Sequence, residues 1–249
     1  AASDWLERLS LGDADLIEWF TTHTVFIAPC VSPDGYDHTR SGRGMLRSSL
    51  RPPRTDEPRE GLEPCDLTGD GAVRLMRWRH PAGPFVADGR IAGLMRHRRL
   101  EDSEDEAYFL CPEGSFINWD GHSWSEAPRK HGLDLNRNFP GQWEPFSMFG
   151  MDGGSYPLSA PESRALMDAV QARPSIALAI SNHTYTGALL TQPYRDPSPL
   201  NRSDIDLMEV LAENLIEGSS YRVIRVHPDF VYDASRPIVG VWADTLASV

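Results

Sequence analysis

Apolar positions recur at helical spacing through the first 23 residues: Trp5, Leu6 and Leu9, then Leu16, Ile17 and Phe20. That period predicts helix. A short β-rich apolar run at residues 24–28 has the pattern of a buried strand, and Pro33-Asp34-Gly35 then turns the chain. From about residue 55 to 130 the character changes. Pro, Gly and charged residues become frequent, and only short pieces such as 73–78 and 107–110 alternate as hairpin strands do. The second half is regular again. Ser159-Ala-Pro-Glu162 reads as a capped helix start, with the helix running to about Arg173 and stopped by Pro174. Residues 176–181 and 187–192 read as strands, Ser203 caps a helix through about Glu217 that ends at Gly218, and 221–226 is again a strand. Strands alternating with helices predict an α/β fold built on a mixed, mostly parallel central sheet with helices on both faces. The 55–130 stretch has too few apolar residues for a core of its own and is expected to be an insertion lying over a single domain that spans 1–249.

Composition narrows the function classes. A chain of 249 residues can bury one sizeable core. Its 36 acidic residues against 24 basic ones argue against a general nucleic-acid binder. No stretch approaches the roughly 18 apolar residues that a membrane span needs. Cys30, Cys65 and Cys111 are odd in number and widely spaced, which fits neither a disulfide framework nor a structural zinc site.

The chemistry concentrates in His131-Gly-Leu-Asp-Leu-Asn-Arg-Asn-Phe-Pro140. Asn136 beside Arg137 offers an amide and a guanidinium that can grip a carboxylate through parallel hydrogen bonds. Three companions stand in order around it: Cys30-Val-Ser-Pro-Asp-Gly-Tyr36 after the first apolar run, Met45-Leu-Arg-Ser-Ser-Leu-Arg51, and His183-Thr-Tyr185 after the second run. Taken together, these motifs resemble the zinc carboxypeptidases of the M14, carboxypeptidase A-like, family, over about Trp19 to Asp244.

The resemblance implies a carboxypeptidase-like fold and hydrolysis of the C-terminal peptide bond, with zinc as cofactor and a peptide or protein C-terminus as partner. It assigns His183 as a zinc ligand and Asp134 as the residue that orients a zinc-binding histidine. Asn136 and Arg137 become the pair that binds the terminal carboxylate, and Arg47 the cation that polarises the scissile carbonyl. Arg51 is the nearest rival to Arg47 in a region that also holds Arg40, Arg43 and Arg54. Tyr232 matches the tyrosine that closes over the bound peptide, with a core aromatic as the alternative, and Tyr185 is expected to pack beside the site. The family's His-x-x-Glu zinc motif and its later catalytic glutamate are not found in the sequence, so the expectation is a domain truncated at both ends, inactive alone. Two further readings stay open: an amidase acting on peptidoglycan peptides or another amide, and a non-catalytic carboxylate-binding pseudoenzyme. Asp66-Leu-Thr-Gly-Asp-Gly71 resembles part of a calcium loop but lacks its full ligand series, and a plain turn is expected there.

Overall fold

The computed structural model describes residues 2–42, 46–52, 59–121, 125–145, 147–148, 151–233, 235 and 237–247. Arg43, Met45, Arg54 and the expected start of the insertion near Thr55 lie outside them.

The chain opens with two helices, α1 (Ala2–Ser10) and α2 (Ala14–Phe20), where one was expected. The break at 11–13 is set by Asp13, whose Oδ1 accepts the Leu16 amide 3.1 Å away and caps α2. The Pro-Asp-Gly segment does not simply turn. It starts a third helix, α3 (Pro33–Arg40), with the proline in the first turn, where its missing N–H is harmless.

The stretch expected to be an insertion forms strands β1 (Gly61–Pro64), β2 (Leu75–Arg79), β3 (Phe85–Ala87), β4 (Met95–His97), β5 (Tyr108–Pro112) and β6 (Gly114–Ile117). β2, β5, β3 and β4 form one antiparallel sheet in that order, and β1 pairs with β6. Val73 N donates to Gly42 O at 2.9 Å, and Leu62 exchanges bonds with Ser125 and Ala127. Asp66 accepts the amides of Gly69 and Gly71, and Asp70 pairs with Arg74, so the loop's carboxylates serve its own backbone and a neighbouring arginine.

Beyond a short hairpin, β7 (Ser147–Met148) with β8 (Met151–Asp152), come α4 (Pro161–Gln171), β9 (Ala188–Thr191), α5 (Arg202–Ile216), β10 (Arg222–Arg225), the single turn α6 (Val226–Asp229) and α7 (Trp242–Ala247). α5 is capped by Asn201, whose Oδ1 accepts the Asp204 amide, not by Ser203. The parallel pairing expected to dominate a mixed sheet joins only β9 and β10 among the strands of the described residues, and every other strand pair there is antiparallel. A mostly parallel central sheet with helices on both faces is therefore not what these residues form. The reason lies in the runs 24–28 and 176–181. Both are irregular chain, with Phe26 and Leu178 each 58% exposed. An apolar run becomes a strand only where a neighbouring edge accepts its N–H and C=O groups, and no described strand pairs with either run.

Two small apolar clusters hold the second half together. Tyr194, Val226, Ile238 and Val241 pack with Leu190 and Ala243, joining β9, α6 and the approach to α7. Leu133, Leu135 and Ala160 pack the Asp134 loop against the start of α4.

Candidate functional site

Leu133 and Leu135 turn inward on either side of Asp134, and that anchors the loop. Asp134, 1% exposed, begins a short 3-10 turn over Leu135–Arg137, and its Oδ1 accepts the Asn136 amide at 3.1 Å. Segment 47–51 runs alongside. Ser49 Oγ donates to Leu133 O at 3.0 Å, Leu135 N donates to Ser48 Oγ at 3.3 Å, and the amides of Gly132 and Leu133 both reach Arg51 O. These backbone ties deliver Arg47 to Asp134. Its Nε and Nη2 both donate to Oδ2, at 3.0 and 2.6 Å. Arg51 is taken up elsewhere, by Glu162 in the first turn of α4 at 3.1 Å. Of the two arginines, Arg47 is the one beside the motif loop.

Asn138 is the residue that sequence reasoning missed. It is completely buried, and its Nδ2 donates to Gly153 O, Tyr156 O and Ser159 Oγ at 2.7–3.1 Å. Its Oδ1 accepts the Ala160 amide at 3.0 Å and the Ser163 hydroxyl at 2.5 Å, which ties the start of α4 to the loop; the N-cap position itself is Ala160, without a side-chain cap bond, and not the expected Ser159. The signal was an amide two positions after Asn136 and before an apolar Phe-Pro. Only the fold says which remote backbone it would serve.

Asn136 and Arg137 follow from this framework. The Trp242 amide, at the start of α7, donates to Asn136 Oδ1 at 3.0 Å, so the Nδ2 end of the amide faces His183 Nε2 at 3.3 Å. Ser181 Oγ also lies 3.2 Å from Nε2. The Asn136 amide donates toward Nε2, and the Ser181 hydroxyl can donate to or accept from the same nitrogen. Arg137 is 4% exposed, and its Nη1 donates to Asn136 O at 2.7 Å. Gly153 and Gly240 close on the Arg137 carbonyl so tightly that a Cβ would stand 2.4 and 2.2 Å from that oxygen. Larger residues there would push the arginine's backbone out of place.

Electrostatics shows the same convergence. Burial pulls the Arg137 guanidinium down from its ordinary value. Asp134 opposes that first, then Tyr232, while Arg47 adds to it. The cation persists, because arginine does not lose its proton near neutral pH. The surrounding protein lowers His183 by desolvation although the residue stands at an open face. Asp134 opposes the shift, and Arg137 and Arg47 reinforce it. Arg47, Asp134, Asn136, Arg137, His183 and Tyr232 are thus brought within mutual influence, although they span residues 47–232. Tyr232 is exposed, and so is Tyr185, which packs edge-on against Tyr221 and not into a core. Behind Arg137, Tyr194 is pushed up to about 12 by burial, Asp244 adding and Arg137 opposing.

The donor set does not fit a catalytic zinc, which needs about three protein ligands and an open position. Among the described residues no three His, Cys, Asp or Glu side chains are grouped to hold a metal. Both oxygens of Asp134 are engaged, one by Arg47 and the other by the Asn136 amide. No helix among the described residues is long and apolar enough to cross a membrane.

Comparison with known proteins gives one clear result. The family model for zinc carboxypeptidases, the M14 peptidases, matches residues 9–235. The searches of curated proteins and of solved structures returned no match. The matched span takes in every residue of the convergent cluster, and the chain belongs to the zinc carboxypeptidase (M14 peptidase) family.

Proposed function

We propose that this metallocarboxypeptidase-family chain recognises the free C-terminal carboxylate of a peptide, the step that makes such a hydrolase act at chain ends. The observation that carries the reading is the Asn136–Arg137 pair, an almost fully buried guanidinium and an amide donor held side by side beside His183. The Asn136 Nδ2 has two hydrogens and spends one on His183, so the other remains for a ligand oxygen. Arg47 is the cation positioned to polarise the adjoining carbonyl, and Tyr232 is the side chain at the open face that closes over the peptide. Asp134 positions Arg47 through the ion pair already described. The family is zinc-dependent in general, with His183 the residue that matches one of its ligands. Since the donor set here does not fit the ion, no step through zinc is derived. That misfit favours a second reading, in which the chain keeps the carboxylate grip without hydrolysis.

The test is the affinity for one peptide in its free-acid and amidated forms. Arg137→Ala removes one partner of a buried charged pair, which typically costs about 2–5 kcal/mol, or about 30-fold to several thousand-fold in affinity for the free acid. The amidated peptide should bind weakly to wild type and lose little more. Equal losses on both forms would refute the carboxylate assignment.

A further inference from the structure

We infer that the outward face of α5 docks a separate polypeptide segment, an amphipathic helix with an aliphatic stripe and a cationic flank. The inference does not depend on the carboxylate reading.

Two apolar stripes run along α5, where a helix at a protein surface has one. The first is Ile205, Met208, Ala212 and Ile216, covered or half-covered where α5 lies on β9 and β10. The ion pair of Arg225 with Glu209 fixes the helix to β10 in that orientation. The second is Leu207, Val210, Leu211 and Leu215, at i, i+3, i+4 and i+8, which share another face. These four are between 44% and 58% exposed. Single apolar side chains at a surface are ordinary, but four aliphatic ones in one stripe form a patch of the kind that marks an interaction site. Asn214 is the polar residue between Val210 and Leu215 on that face. An aliphatic stripe of this length is what one face of a second amphipathic helix covers.

Charge decides the occupant. Asp206 and Glu213 border the stripe on the Val210 side, and Glu217 follows at the helix end. Asp206 has a distant partner, Arg202 at 3.7 Å, and among the described residues neither Glu213 nor Glu217 makes an ion pair. A helix lying on the stripe gains from Lys or Arg on the flank that meets these carboxylates. A second copy of the chain is a poor complement. α5 against α5 sets acid against acid, α2 has no basic residue, α1 spends Arg8 on Asp13, and Arg164 of α4 turns to Leu158 O. An anionic lipid surface is repelled by the same acids and by a net charge of -12.

Fluorescence anisotropy of labelled helical peptides with the full chain tests this. The probe has Leu at i, i+3, i+4 and i+7 and Lys along one flank. Its controls carry Glu in place of that Lys, or the same residues in scrambled order. The Lys peptide should bind about tenfold or more tighter than either control. Leu207→Gln combined with Leu211→Gln should weaken it about tenfold or more, with the urea midpoint unchanged because both side chains are exposed. Glu213→Lys should weaken it about threefold and flatten its salt dependence. Unchanged affinity in either variant, or no preference for the Lys peptide over its controls, overturns the inference. Sedimentation showing self-association that the leucine variant abolishes would make the occupant a second copy and overturn it as well. So would co-pelleting of the chain with phosphatidylserine vesicles through the same leucines.

Discussion

The Asp134 loop and the insertion sheet use the same side chains for different ends. In the insertion, Arg90 pairs with Asp88 two residues away, Arg74 with Asp70 and Arg59 with Glu63 four away, and Arg96 with Asp102 six away. These pairs are local, so they can form before the fold does and constrain little beyond their own turn. Around the loop, Arg47 reaches Asp134 across 87 positions, Arg51 reaches Glu162 across 111, and Asn138 gathers backbone from 15 to 22 residues downstream. Asp134 and Asn138 there are buried, and each tie joins segments that would otherwise separate. The difference teaches where function can be built: a ligand grip needs donors held rigidly by remote parts of the chain, and the loop has such a frame.

If that contrast is right, the loop should be fragile where the insertion is tolerant. The largest effect belongs to Asn138→Ala. It leaves several buried donors and acceptors without partners in one step, and should lower unfolding free energy by about 3 kcal/mol or more. A urea midpoint close to wild type would break the contrast at its strongest point. Asp134→Asn comes next. The Asn136 amide keeps an acceptor, but Arg47 loses its counter-charge. Because the Arg47 side chain is 43% exposed, water offsets part of the loss, and about 1–3 kcal/mol is expected. Restoration by adding Arg47→Met would show that the stranded cation carries the cost.

The smallest effect sharpens the other side. Asp88 and Asp102 are each lowered to about 2, first by hydrogen bonds from Arg90 and Arg96 respectively. A carboxylate depressed in the folded state contributes stability above its unfolded value of about 3.9 and loses it as pH falls toward the folded value. The response there should therefore lie between about pH 4 and 2, and should be slight because the arginine ends of the pairs reach solvent although the carboxylates are largely covered. Amide exchange in β3 and β4, followed across that window in low and high salt, checks it. A sharp loss of protection near pH 5 would mean that the local pairs are not what titrates.

How much of this was legible in the chain depends on the range of the interactions. α4, α5, β9 and β10 follow from period and stop signals that act within a few residues: Pro161 in a first turn, Gly218 after a last one. The motif around Asp134 suggests a carboxylate grip, the reading proposed above, because Asn136 and Arg137 are adjacent. The runs at 24–28 and 176–181 were misread because strand formation depends on an edge supplied from elsewhere, and apolar content says nothing about that edge. The pairing of Arg47 with Asp134 was hidden for the same reason. The resemblance gave each residue a different partner, and only the folded chain brings the two together. Asn138 looked like one more polar residue in a loop, since its role is written in the carbonyls of Gly153 and Tyr156, not in its neighbours.

The central claim is that remote polar ties assemble a grip for a terminal carboxylate. A crystal structure of the chain with a free-acid N-acylated dipeptide tests it most directly. The account predicts the carboxylate about 2.7–2.9 Å from the Arg137 guanidinium, with a second bond from Asn136 Nδ2 and Arg47 still on Asp134. A carboxylate seated on Arg47 with Arg137 untouched, or a peptide terminus lying outside the cleft, would contradict it.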